Sequence, residues 1–132
     1  MIGKLRLILK ELAQPSAQKA DWFAWAAAQL AHAMIGAVWA GALCFLLPGA
    51  WAFAIVVVGY AVGKELPDYL RAPGWAAARD CIQDAAFVAA GAALAVAIGA
   101  VDARLFGLVL AAALTGLGLG IWARLPAKMG EQ

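Results

Sequence analysis

The 132-residue chain is 66% hydrophobic and only 14% charged, with a net charge of +2 and a mean hydropathy of +0.85. A soluble domain of this length needs a far more polar surface, so the composition excludes a water-soluble globular protein. It predicts an integral membrane protein that forms one domain over residues 1–132. No basic patch is interleaved with aromatic residues, so no nucleic-acid partner is expected.

The first predicted element is a short amphipathic helix at residues 1–14. Its apolar residues, among them Ile2, Leu5 and Leu9, fall near one helical face, and its charged residues fall mostly elsewhere. This pattern is typical of a helix that lies in the membrane interface. Pro15 then marks a break in the chain.

Four apolar segments follow, each close to the ~20 residues that cross a bilayer core. The connections between them are short, so consecutive helices must be antiparallel. We therefore expect an all-α integral membrane fold with four transmembrane helices in an antiparallel bundle. Pro67 is expected to kink or end the second helix. The predicted segments are about 22–47, 51–70, 76–101 and 105–123.

The basic residues predict the orientation of these segments. Nine of the ten lysines and arginines fall on the side that holds both termini and the loop between the second and third segments. Only Arg104 falls on the other side. Basic residues are concentrated in cytoplasmic loops, so both termini are expected to face the cytoplasm. Cys44 and Cys81 then lie near opposite membrane faces, too far apart for a disulfide bond.

Acidic residues are concentrated around the second loop, close to the apolar segments. Counting residues outward from each turn places His32, Glu65 and Asp84 at one depth on three consecutive helices. A second layer, one turn nearer the cytoplasm, holds Gln29, Asp68 and Asp80. Ionised side chains in the apolar zone cost several kcal/mol, so these residues should face the protein interior and be paired or metal-bound.

Two simpler readings compete with a functional site. A single histidine in an alanine-rich helix is commonly a hydrogen-bonded packing residue. The acids can also pair at the level of the lipid headgroups, where charges cost little. Their candidate partners are Lys64, Arg71, Arg79 and Arg124.

One imidazole with several carboxylates is a hard, oxygen-rich ligand set that suits Mg²⁺, Mn²⁺, Ca²⁺ or Zn²⁺. We therefore predict a divalent-metal site in which His32, Glu65 and Asp84 carry the chemistry. Arg71 and Arg79 are the candidate ligands for a substrate phosphate. The full set of predicted metal ligands is His32, Glu65, Asp68, Asp80 and Asp84.

The stretches AHAMIG at 31–36, GKELPD at 63–68 and RDCIQD at 79–84 resemble those of small bacterial and phage membrane proteins of the VanZ-like and YfiM-type groups. These groups share a histidine in the first apolar helix, a KE..D end to the next helix and an aspartate at the start of the third. The resemblance implies a membrane protein of a bacterium or phage with a polar site. The expected location is the bacterial inner membrane.

A second likeness concerns metal geometry alone. Glu65-x-x-Asp68 and Asp80-x-x-x-Asp84 have the spacings of the acids in CDP-alcohol phosphotransferases. The chain departs from that family at position 65, which is Glu, and at Tyr69, where the family has Gly. The gap between the two pairs is also shorter than in the family.

The leading functional hypothesis is a metal-dependent membrane hydrolase or transferase acting on a phosphorylated lipid or isoprenoid. One alternative is an oligomeric pore or a proton or cation conduit, including a phage holin, lined by His32 and the acids. Another is a non-catalytic anchor subunit in which the charges are only paired. Gly116 and Gly120 favour tight internal packing, and a homo-oligomer is left open.

Overall fold

The computed structural model describes residues 22–125, and helices account for most of that part of the chain. The predicted interfacial helix at 1–14 lies outside the described residues. Between Tyr60 and Leu66 the second helix passes through one π-helical turn, Ala61–Glu65. The helices are α1 (Trp22–Leu43), α2 (Gly49–Tyr60), α3 (Leu66–Arg71), α4 (Trp75–Gly99) and α5 (Ala103–Trp122).

Within residues 22–125, four helical spans are long and apolar enough to cross a membrane. They are Trp22–Leu43, Gly49–Arg71, Trp75–Gly99 and Ala103–Trp122. The prediction of a membrane protein with four apolar helices is therefore confirmed. The first span ends four residues before the predicted limit of 47, because the chain turns at Cys44–Leu47 ahead of Pro48. The second span begins at Gly49, directly after that proline.

Helix α4 is the central element, and α1, α2 and α5 all pack against it. Its contact with α1 is the most extensive in the described part of the chain. Two glycines permit the close approach: a Cβ added at Gly36 would overlap the carbonyl oxygen of Val88, and one added at Gly91 would overlap that of Ala33. Small residues of this kind let helix backbones touch inside a membrane.

An apolar layer lies beyond this contact, toward the turn at Cys44–Leu47. Ala40, Val88 and Ala92 are fully buried there, and Val56 of α2 is nearly so. Side chains of this size fill the space between three helices without polar atoms. The buried core in this half of the structure is therefore apolar.

The π-helical turn has a local cause in Pro67. Proline has no N–H to donate, and its ring clashes with the carbonyl four residues earlier, here that of Gly63. The helix relaxes by one residue, and the Leu66 N–H bonds to the Ala61 carbonyl, five residues back. The expected disturbance at Pro67 is thus a widened turn on its N-terminal side, and the helix continues to Arg71.

Helix α5 begins at an N-cap formed by Asp102, whose carboxylate accepts bonds from the backbone N–H groups of Arg104 and Leu105. None of its residues is buried within the described part of the chain. Both cysteines are free thiols.

Candidate functional site

A lysine stands at the centre of the polar cluster. Its ammonium Nζ lies 2.7 Å from Glu65 Oε1, 3.4 Å from Asp68 Oδ2 and 3.6 Å from Asp84 Oδ2. Glu65 and Asp84 are buried, whereas 35% of the Lys64 side chain is exposed. The lysine therefore enters from the surface and gathers three carboxylates around one cationic point.

The π-helical turn explains how neighbouring residues reach the same place. In a regular α-helix, consecutive side chains point in well-separated directions. Lys64 and Glu65 both lie in the widened turn, and both side chains converge on the space beside Asp84 of α4. π-Bulges of one turn are frequent at functional sites.

Asp84 is the point at which three elements meet. Helix α1 supplies Gln29, whose amide Nε2 donates to Asp84 Oδ1 over 2.9 Å. It also supplies His32, whose Nδ1 lies 3.3 Å from the same oxygen. That approach is close enough for an ion pair when the imidazole is protonated, although it lacks hydrogen-bond alignment. Lys64 contacts the other carboxylate oxygen.

Aromatic side chains line the cluster on the α2 side. The ring of Tyr60 meets the His32 ring edge-on, with 5.8 Å between centroids. Lys64 Nζ lies 5.6 Å from the centre of the Tyr60 ring. The Tyr60 hydroxyl is buried beside Glu65. It is a further polar group at the edge of the cluster.

The remaining predicted residues lie around this centre. Asp68 is partly exposed at the rim, where Arg71 Nη1 donates to its Oδ1 over 2.7 Å. Asp80 is buried one turn before Asp84, and its charge acts on Arg124. Arg79 lines a different cavity, between α1, α4 and α5. The two arginines predicted to share a phosphate therefore have different surroundings.

The structure shows Lys64 and Arg71 paired with acidic side chains, as the competing interpretation of charge pairing expects. Sequence reasoning gave Lys64 only the role of a headgroup-level partner, and it missed Tyr60 altogether. The signal for Lys64 was present: it precedes Glu65 directly and stands four residues before Asp68. The depth count also placed Gln29 one turn away from Asp84, the residue it contacts.

The position of Lys64 among the carboxylates affects where the predicted metal ion could bind. In residues 22–125, no three His, Cys, Asp or Glu side chains stand together as a ready metal-binding group. The Lys64 ammonium occupies the space between Glu65, Asp68 and Asp84. A divalent ion would have to take that position from it, with the same carboxylates as ligands.

Comparisons of the chain with protein-family models, with curated proteins and with solved structures give no match.

Proposed function

We propose that the chain is a membrane-embedded hydrolase or transferase that acts on a phosphorylated lipid or isoprenoid with the help of a divalent metal. The observation that carries the proposal is the single point within 3.6 Å of three carboxylates, now held by Lys64 Nζ. Three acidic side chains around one cation, at the edge of the apolar zone, form the kind of site that holds Mg²⁺ or Mn²⁺ for phosphate chemistry.

The balance of charges supports a further cation at this site. The connected group contains three carboxylates, Glu65, Asp68 and Asp84, against the two cations Lys64 and Arg71. One negative charge is left over while His32 is neutral. In a poorly solvated site, such an excess favours the binding of a further cation such as a metal ion.

The residues then take distinct roles. Glu65, Asp84 and Asp68 hold the metal, with Asp80 as a further candidate ligand. His32 is a ligand or a general base. Because its Nδ1 faces Asp84, Nε2 is the nitrogen that remains for exchanging a proton with a substrate or water. Arg71, at the exposed rim beside Asp68, is placed to meet a phosphate oxygen.

The apolar layer beyond the cluster favours an enzyme over a conduit. A proton or cation path through one copy of the chain needs polar groups or water on both sides of His32. At Gly36 and Gly91 the backbones of α1 and α4 touch, and the buried residues of the apolar layer beyond them carry no polar side chain. This arrangement supports a site that a lipid headgroup enters from the end of the molecule that carries the cluster.

The proposal includes an orientation: an antiparallel bundle in the bacterial inner membrane, with an interfacial helix at 1–14 and both termini in the cytoplasm. The basic residues concentrated at one end support it. A C-terminal fusion to green fluorescent protein should fluoresce, and a fusion to alkaline phosphatase should be inactive. An active phosphatase fusion would instead mean that the C-terminus, and with it the site, faces the periplasm.

Activity is tested on the purified full-length protein in lipid nanodiscs. The substrates are a polyprenyl phosphate, a polyprenyl diphosphate and a phosphatidic acid, with phosphate release and lipid products followed by mass spectrometry. We expect turnover that requires Mg²⁺ or Mn²⁺ and stops with EDTA. Asp84→Asn should lower the rate by at least about 100-fold, because it weakens both the metal site and the hold on His32.

The matched control is Asp102→Asn, which lies at the other end of the molecule. Asparagine is as good an N-cap as aspartate, so α5 keeps its capping bonds and the rate should not change. Equal rates for wild-type and Asp84→Asn protein would assign the turnover to a contaminating phosphatase. If none of the three lipids is turned over and no metal binds, the proposed function is wrong.

A further inference from the structure

A second polar site lies on a face of α4 adjacent to the one that carries Asp80 and Asp84. A cavity of about 650 Å³ opens between α1, α4 and α5 at the end of the molecule where α1 begins. Its polar lining includes Arg79 and Gln83 of α4 and Arg124, just after α5. Arg79 and Gln83 stand one position before Asp80 and Asp84 along α4, so their side chains point in a different direction around the helix.

The two arginines are close enough to repel each other. Burial, and then the positive charge of Arg79, lowers the pKa of Arg124. The nearby Asp80 carboxylate opposes this effect, but it belongs to the buried face of α4 and has contacts of its own. No carboxylate of residues 22–125 lies within ion-pair distance of either guanidinium. Among the described residues, the lining of the cavity therefore includes two cationic side chains and no carboxylate.

Arg124 is held in place and still has donors to spare. Its guanidinium stacks 4.2 Å from the centre of the Trp25 ring, and Nη1 donates to the Gly120 carbonyl over 3.1 Å. A guanidinium has five N–H donors, so most remain for another acceptor. The Trp25 ring also lines the cavity.

We propose that this Arg79–Arg124 cavity binds the phosphate of an anionic phospholipid from the membrane leaflet around it. The site has two guanidiniums, which match phosphate oxygens in a bidentate manner. It lies at the helix ends, where headgroups lie, and basic pockets between transmembrane helices bind anionic headgroups. Apolar surface from Phe87 and Leu119 lines the same cavity and can take the start of an acyl chain.

The bound lipid would also join α5 to the rest of the molecule. Helix α5 has no buried residue in the described part of the chain, so a bound lipid would add to its contacts with the other helices. A phosphate between Arg79 of α4 and Arg124 beyond α5 would link the two helices across the cavity. This role is separate from the proposed reaction, which depends on the face of α4 that carries Asp84.

The test uses native mass spectrometry of the full-length protein titrated with phosphatidylglycerol or with phosphatidylcholine of the same chains. We expect phosphatidylglycerol to bind the wild-type protein at least about tenfold more tightly than it binds Arg79→Gln/Arg124→Gln. Phosphatidylcholine, which has no net charge, should show no such difference. Arg79→Lys/Arg124→Lys keeps both charges and should keep part of the affinity.

Arg104→Gln is the matched control, because it removes one exposed arginine at the other end of the molecule. It should bind phosphatidylglycerol like the wild-type protein. If the double variant does not fold, Arg79→Gln alone serves, since this side chain is exposed, and it should weaken binding by about threefold or more. Equal losses in Arg104→Gln and Arg79→Gln would overturn the proposal. So would complete displacement of the lipid by millimolar inorganic phosphate, which would identify a site for soluble phosphate.

Discussion

Replacement of Lys64 by methionine is expected to destabilise the protein by about 3 kcal/mol. Methionine keeps the length of the side chain but leaves Glu65 and Asp84 buried without the cation between them. Removing one partner of a buried ion pair typically costs ~3–5 kcal/mol. The lower end applies because 35% of the Lys64 side chain is exposed and partly screened by solvent. The measurement is reversible unfolding in mixed micelles with EDTA present, followed by circular dichroism.

The same variant separates charge pairing from metal binding. With the ammonium gone, Mn²⁺ should bind Lys64→Met more tightly than wild type, and its addition should restore much of the lost stability. Lys64→Met/Glu65→Gln removes one charge of each sign and should be more stable than Lys64→Met in EDTA. If Lys64→Met is destabilised but Mn²⁺ has no effect, the acids are only charge-paired and the metal proposal fails.

The effect of a methyl group at the α1–α4 contact is expected to be similarly large. Gly36→Ala would place its Cβ against the Val88 carbonyl, and Gly91→Ala against that of Ala33. The obstacles are backbone atoms, so the helices must separate. Overpacking commonly costs ~1–3 kcal/mol, and each change should reach the upper end of that range. The unfolding assay described for Lys64→Met measures it.

Gly118→Ala in α5 is the matched control, because a Cβ there meets no other atom within 4 Å. It should stabilise the helix slightly, by up to ~1 kcal/mol, since alanine forms helices better than glycine. Gly36→Ala/Gly91→Ala should cost less than the sum of the two single changes, because the first separation makes room for the second. A neutral Gly36→Ala would mean that α1 and α4 are not in backbone contact.

Much of the helical framework could be predicted from the sequence, because long apolar segments and short polar turns leave few arrangements in a membrane. The limits of the helices were less accurate. Leu46 and Leu47 continue the apolar run that predicts α1, yet they belong to a turn that hydropathy cannot detect. Pro67 was recognised as a disturbance, but its effect falls on Ala61–Glu65, before the proline.

Most residues of the candidate site could be identified from the sequence, but their contacts with one another could not. Counting by depth brought His32 and Asp84 together, and they lie 3.3 Å apart. It could not show that Lys64 turns inward, because a lysine at a helix end usually extends toward water. It could not separate Arg79 from Arg71 either, since the direction of a side chain around a helix depends on a register that the π-helical turn changes.

The extra residue in the Ala61–Glu65 turn also limits where the chain can tolerate insertions and deletions. Insertions and deletions are normally tolerated between helices, and the turns at Cys44–Leu47 and at Ala72–Gly74 fit that expectation. Deletion of one residue from Ala61–Glu65 would instead shorten a membrane span. Because Pro67 would remain, the helix could not accommodate the deletion by becoming regular, and Lys64 or Glu65 would rotate relative to Asp84. Descendants of this sequence should therefore vary in length at the loops and keep the spacing from Tyr60 to Pro67 constant.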